Sequence, residues 1–236
     1  MHANAFAGGY APALSGRLKT TSTTASGTLT GEFDLEQVGQ GAPSLSPAAE
    51  IRLGTAPLEL AFSGFQYAET GDGSFNGFYL GEAFDGAVQS DFEVRGLRGT
   101  VGVDLLNGPA GRLGVLVGAH YFEMDLRLTD VSSGATTALN EKFPVPVLGV
   151  RADIQVFPAL RIGGELTGMS VDVDDYDATF YDAQVAAHWN PIDPLEAIIG
   201  YRATSLDFKG PIPDSPHDLD ATLEFTGPFF GVGLTF

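Results

Sequence analysis

Carboxylates and guanidinium groups carry the chemical potential of this sequence. Thirty Asp+Glu stand against twelve Lys+Arg, a net charge of −18, and there is no Cys. Four of the acids, Asp172, Asp174, Asp175 and Asp177, fall within six residues. Oxygen-rich clusters suit Ca2+ or Mg2+. The segment lacks the turn Gly and the Glu at position 12 of an EF-hand, so a solvated acidic face competes with a Ca2+ site. No other cofactor is implied. The missing thiol excludes a Cys nucleophile, a Cys-ligated zinc and a disulfide scaffold. There is no Gly-x-Ser-x-Gly and no phosphate-binding Gly loop. Of the four His, His2 is terminal, His217 lies in a loop near Asp214 and Asp218, and His120 and His188 have no Ser in a matching motif. The expectation is a protein that is not an enzyme. So acidic a chain repels phosphate backbones, which argues against a nucleic-acid partner.

The elements that position these groups repeat with a period of two. Only 18% of residues are charged and 44% are hydrophobic, so the chain is no acidic disordered tail. No run approaches 18 apolar residues, so no transmembrane helix is expected. No secretory h-region opens the sequence, and a signal peptide is expected to have been removed. Alternation marks ten strands, near 12–22, 47–55, 57–68, 88–105, 112–129, 143–157, 159–174, 177–190, 193–209 and 219–236. Residues 1–11 read as an N-terminal tail. Short Pro-containing turns alternate with longer polar links near 23–46, 69–87, 130–142, 175–176 and 210–218. Loops sorted by end, with an even strand count, fit an up-and-down antiparallel transmembrane β-barrel in one domain spanning 1–236. Eight or twelve strands stay open if 12–46 pairs differently.

Parity assigns the side chains to two faces. Over 112–128 the odd face is apolar to Tyr121 and then reads Glu123, Asp125, Arg127. The even face runs Arg112, Gly114 and His120, then Phe122, Met124, Leu126. The same exchange recurs in 91–105, 143–156 and 160–174. A β-bulge explains one such swap but not the series. A lipid-embedded lower half and an upper half in water explain all of them. Strands of 16–18 residues reach roughly 40 Å, against a lipid band of about 25 Å, so about 15 Å should project. Trp189 and Phe236 mark one aromatic girdle and Tyr121, Tyr181 and Tyr201 the other.

Two inward-facing groups follow. The lower lumen collects Arg52, Glu59, Arg98, Asp104, Arg112, His120, Arg151, Asp153, Arg161, Glu165, Asp182 and Arg202, joined by Glu50, Glu196 and His188. Buried charges persist when paired, so this reads as a salt-bridged plug or, in the second reading, a selective polar pore. The upper lumen collects Phe92, Phe122, Met124, Phe143, Met169, Phe180, Phe208 and Phe225. It reads either as a core packed on itself or as an apolar pocket for a small hydrophobic ligand.

The last ten residues, Gly227-Pro228-Phe229-Phe230-Gly231-Val232-Gly233-Leu234-Thr235-Phe236, resemble the C-terminal strand of bacterial outer-membrane proteins. Phe236, Leu234, Val232 and Phe230 match its alternating pattern with a final Phe. The resemblance extends over about 47–236 and points to small barrels of the OmpA/OmpW type. It implies a porin-like membrane protein of a Gram-negative outer membrane, surrounded by lipid and lipopolysaccharide. It also implies that Phe236 serves as the assembly signal read by the barrel-assembly machinery. OmpW-type barrels are associated with passage of small hydrophobic molecules. The leading expectation is binding or passage of such a molecule in the upper chamber, above a charged plug. The alternative is a structural surface barrel whose acidic exterior (Asp91, Glu93, Glu123, Asp125, Asp207, Asp220, Glu224) binds divalent cations, lipopolysaccharide or neighbouring proteins. Ten strands depart from the eight typical of the family, and its peptidoglycan-binding domain has no counterpart here.

Overall fold

The computed structural model describes residues 2–24, 27–173, 176–212 and 215–236. The strands are β1 (His2–Tyr10), β2 (Ala13–Thr24), β3 (Gly27–Asp34), β4 (Ser46–Thr55), β5 (Leu58–Tyr79), β6 (Glu82–Gly108), β7 (Gly111–Asp130), β8 (Thr136–Phe157), β9 (Leu160–Val173), β10 (Tyr176–Ile192), β11 (Leu195–Pro211) and β12 (His217–Thr235). β1 and β4 to β12 pair in an antiparallel ring that closes where β12 meets β1. β2 prolongs β1 along the upper half of β12, and β3 pairs with β2. A 3-10 turn, Leu35–Val38, separates β3 from β4, which returns beside β1. The wall is thus ten strands around, as the alternation indicates; eight and twelve do not describe it.

Two expectations on chain ends and loops are corrected. Residues 2–10 are not a tail. They pair with β12 from Asn4–Thr235 to Tyr10–Phe229 and with β4 on the other side. Ala3, Ala5 and Ala7 occupy one parity there, and small methyl groups give a faint apolar signal. Nor is 69–87 a loop. Its ladder continues to Tyr79–Glu82 around the two-residue turn Leu80-Gly81. Gly71, Gly73, Asp72 and Asn76 mimic loop composition there, while odd positions Phe75 and Tyr79 keep the inward face. The projection is accordingly taller than 15 Å. β6 has 27 residues; at about 3.3 Å each and a tilt of about 40° it stands about 70 Å, against about 25 Å of lipid.

The change of polarity along each strand is present in three dimensions. Leu97, Val101, Val103, Leu113, Val115, Val117, Leu148, Val150 and Ile154 are exposed on the lower outer wall. Above them, Asp91, Asp125 and Arg127 take the same outward face. Trp189, Phe236, Tyr121, Tyr181 and Tyr201 are all exposed outward, at the two borders of that belt. Two-residue turns at 56–57, 109–110, 158–159 and 193–194, each with a Pro, close the lower end.

One part of the wall is sealed differently. The β4–β5 ladder ends at Ala48–Phe65. Above it, among the described residues, β5 has no strand partner on that side. The 3-10 turn leans on β5 instead. Gly39, in the left-handed region at φ 84, ends the turn, and its backbone lies against Asp72 and Gly71. The Gln40 side-chain amide donates to Ser90 Oγ at 2.8 Å, and Ser90 Oγ donates to the Val38 carbonyl at 2.6 Å. A Cβ on Gly71 would sit 2.4 Å from the Gly39 carbonyl oxygen. Gly71→Ala is therefore expected to lower stability by about 1–3 kcal/mol through overpacking and to expose 35–45 to protease. Gly108→Ala, with open space around its Cβ, should be neutral. Urea unfolding from vesicles and limited proteolysis check both.

Candidate functional site

The lumen is built in two layers. In the lower layer the inward positions of β4 to β11 bring guanidinium groups against carboxylates from neighbouring and opposite strands. Arg151, on β8, is 2% exposed. It pairs with Glu59 and, at 2.6 Å, with Asp104. Arg112 pairs with Glu59 at 2.6 Å and with Asp153. Arg52 bridges Glu165 at 2.6 Å and Glu50 at 2.5 Å. Arg98 reaches Glu165 at 2.7 Å and Asp182 at 3.7 Å. Arg202 grips Asp182 at 2.7 Å, and Thr204 Oγ1 donates to the same carboxylate at 2.7 Å. Arg161 lies 3.3 Å from Glu196, which also meets His188 Nδ1 at 2.6 Å and accepts from Thr235 Oγ1 at 2.7 Å.

Every arginine and carboxylate of the sequence-derived set thus shares one connected lattice. Such a lattice is bound by mutual need. An arginine removed from it leaves buried carboxylates without compensation. Small cavities of about 40 and 60 Å³ lie beside it, both bordered by Phe6, Glu50, Arg52, Gln184 and His188.

His120 lies where the two layers meet. It stands directly across from Arg98 on β6 and forms no ion pair among the described residues. Its ring stacks on Phe122 at 5.8 Å and packs on Phe180 at 4.6 Å.

The upper layer holds the aromatic residues. Phe92, Phe122, Met124, Phe180 and Phe225 are at most 2% exposed. Side chains this deeply buried border no void large enough for a water molecule, so they pack on one another. Phe143 and Phe208 are half-buried and stack at 5.7 Å. Met169 is half-buried at the edge and outside the core cluster. The expected apolar chamber is therefore filled rather than open around its central members.

The filling comes from residues the strand assignment missed. Phe33, Leu35 and Val38 enter from β3 and the 3-10 turn, and Phe75, Tyr79 and Phe84 from the upper hairpin. Phe33 packs on Phe75 and Tyr79, both at 5.1 Å. Tyr10, on β1, donates its hydroxyl to the Phe225 carbonyl at 3.2 Å. The parity of 69–87 was the signal that could have found half of them.

Of the acidic cluster, Asp174 and Asp175 lie outside the described residues. Asp172 and Asp177 face each other across β9 and β10 and are exposed. Among the described residues no group of three His, Asp or Glu is arranged to hold a metal. Phe236 is exposed, and its backbone closes the ring by donating to Ala3 O at 2.8 Å and accepting from Ala3 N at 2.9 Å.

Arg151→Ala is expected to cost about 3–5 kcal/mol, because it leaves Glu59 and Asp104 buried near less positive charge. Replacing both partners, Arg151→Met with Glu59→Gln, should recover part of that loss. Urea unfolding of the refolded barrel measures both.

No protein-family model matches the sequence, and no curated protein matches it significantly in sequence. Solved structures do match in shape. The outer membrane protease OmpT of Escherichia coli aligns over 100% of this chain and 97% of its own, at 13% identity and a TM-score of 0.61. The translocator domain of the autotransporter NalP of Neisseria meningitidis aligns over 99% and 86%, at 15% identity and a TM-score of 0.47. The toluene transporter TodX of Pseudomonas putida aligns over 97% and 89%, at 9% identity and a TM-score of 0.33. The last two are too loose to add to the first, and identities this low speak to fold alone. The chain has the fold of a small bacterial outer-membrane β-barrel.

Proposed function

We propose that this chain is a closed, non-catalytic barrel of the outer membrane that works through its projecting half, as a surface-binding module. One observation carries the reading: the upper lumen is filled. Phe92 and Phe122 are no more than 2% exposed, and Phe180 is fully buried. A hydrophobic molecule passing along the axis would have to displace this packing and then the ion-pair lattice beneath it. A wall that continues far above the lipid belt and is stiffened by an aromatic core suits a rigid platform. Its exterior is acidic: Asp91, Asp125, Asp172 and Asp207 are exposed there. Potential of that sign favours cationic partners, including divalent ions shared with lipopolysaccharide phosphates. Phe236, at the end of the closing strand, suits the role of assembly signal.

In planar bilayers the purified barrel is expected to give no steady single-channel conductance, and Arg151→Ala should not create one. A stable conductance that changes with Arg151→Ala would mean an open polar pore and would overturn the reading.

A further inference from the structure

Residues 35–45 close a stretch of the projecting wall without joining a ladder. The β2–β3 ladder ends just before them at Arg17–Asp34, and the β1–β4 ladder begins just after them at Tyr10–Ser46. Their backbone gives the rest of the wall few bonds. Among the described residues, Ser44 N–H donates to the Pro12 carbonyl at 3.3 Å and Gly41 N–H to the Glu69 carboxylate at 3.4 Å. The other polar ties run through side chains. The Gln40 amide donates to Ser90 Oγ at 2.8 Å and to the Glu69 carbonyl at 3.3 Å, and Ser90 Oγ donates to the Val38 carbonyl at 2.6 Å. Leu35 and Val38, both fully buried, are the apolar anchors.

What the segment leans on does not need it. β5 stays paired with β6 from Leu58–Val103 to Tyr79–Glu82, and β12 keeps both β1 and β2. Lifting 35–45 therefore breaks no ladder. Its contact with β5 is backbone against backbone: a Cβ on Gly73 would sit 2.1 Å from the Gln37 carbonyl oxygen. Gly39, at φ 84, and Gly41, at φ 119, lie where the segment turns back toward the wall. Glycine passes between the left- and right-handed regions at little cost, so the two supply a hinge.

Proteins open locally in contiguous units, and the units that open most readily have few apolar anchors and few backbone hydrogen bonds. We propose that residues 35–45 are a hinged strap that lifts from β5 as one unit while the ten-stranded ring stays closed. Leu35 and Val38 leave the aromatic layer together, and the clasp of Gln40 on Ser90 and Glu69 is released. The side of β5 above Phe65 is then uncovered as a free strand edge, the part of a sheet that pairs with other chains. The strap thus governs when the projecting half shows that edge.

The test is native-state thiol labelling of the full chain in nanodiscs. The chain has no Cys, so each variant carries a single thiol. Leu35→Cys and Val38→Cys report on the strap. Val94→Cys, buried and paired on both sides with Tyr67 and Met124, reports on the ring. In excess maleimide the strap thiols are expected to react at least a hundredfold faster than Val94→Cys, and within threefold of each other. Arg151→Ala, which weakens the ring, should speed the labelling of Val94→Cys and leave the strap thiols unchanged, because the Arg151 lattice stays intact when the strap lifts. Gln40→Ala should speed the strap thiols about fivefold, the value of one lost hydrogen bond. Strap thiols as slow as Val94→Cys, or a strap rate that rises with Arg151→Ala, would mean that the segment opens only with the whole barrel and would overturn the proposal. Strap rates more than threefold apart, or no response to Gln40→Ala, would overturn the single clasped unit. Either strap thiol alone decides the comparison with the ring if the other variant does not refold.

Discussion

The constraint on which the rest depends is that a ten-stranded lumen has to be filled. A barrel of this size leaves room for side chains and little else. Each inward position must therefore find its partner among other inward positions. Below, where lipid demands an apolar outside, the inside is polar, and polar groups in a narrow lumen must be paired. Arg151 shows the result: one guanidinium holds Glu59 and Asp104 together, while Arg112 ties Glu59 onward to Asp153. The lattice links strands that share no ladder, since Glu59 lies on β5 and Arg151 on β8. It braces the ring across its bore.

Above the lipid the same rule operates with the signs exchanged. Water wets the outer wall, so charge moves outward and apolar side chains turn in. A hydrophobic interior can fill itself by contact alone, and the aromatic layer does so. Tyr10 and Arg202 join the two layers, the first through its hydroxyl on Phe225 O and the second over the ring of Phe65 at 5.4 Å. The 3-10 turn lends Leu35 and Val38 to this core, at the cost of a stretch of wall without a ladder. Gly39, Gly71 and Gly73 let the turn's backbone approach β5 closely enough to seal it.

Much of this was legible in the residues. Alternation sets strands, and two strands of opposite polarity order on one chain imply two environments. Arg98, Arg112 and Arg151 could be placed in the lumen by parity because one face of each strand was apolar for several positions running. Where one parity was occupied by Ala or Gly, the signal faded: Ala3, Ala5 and Ala7 left β1 unread, and Gly71, Gly73 and Gly77 disguised the upper hairpin. His120 was placed on the correct face, opposite Arg98; parity alone did not show that its ring would also meet Phe122 and Phe180.

The sequence counted ten strands but left eight and twelve open, and only the pairing of β1 with β4 and β12 fixed the circumference. By itself it determined the class of fold, the lipid belt and the inward set of charges. Those follow from local alternation, which each strand displays without reference to its neighbours. Tertiary structure decided which carboxylate meets which guanidinium, because pairing across the bore depends on stagger between strands far apart in the chain. It also decided that the aromatic chamber is closed. Whether facing side chains leave a cavity or fill it depends on what enters from β3, the 3-10 turn and the hairpin above.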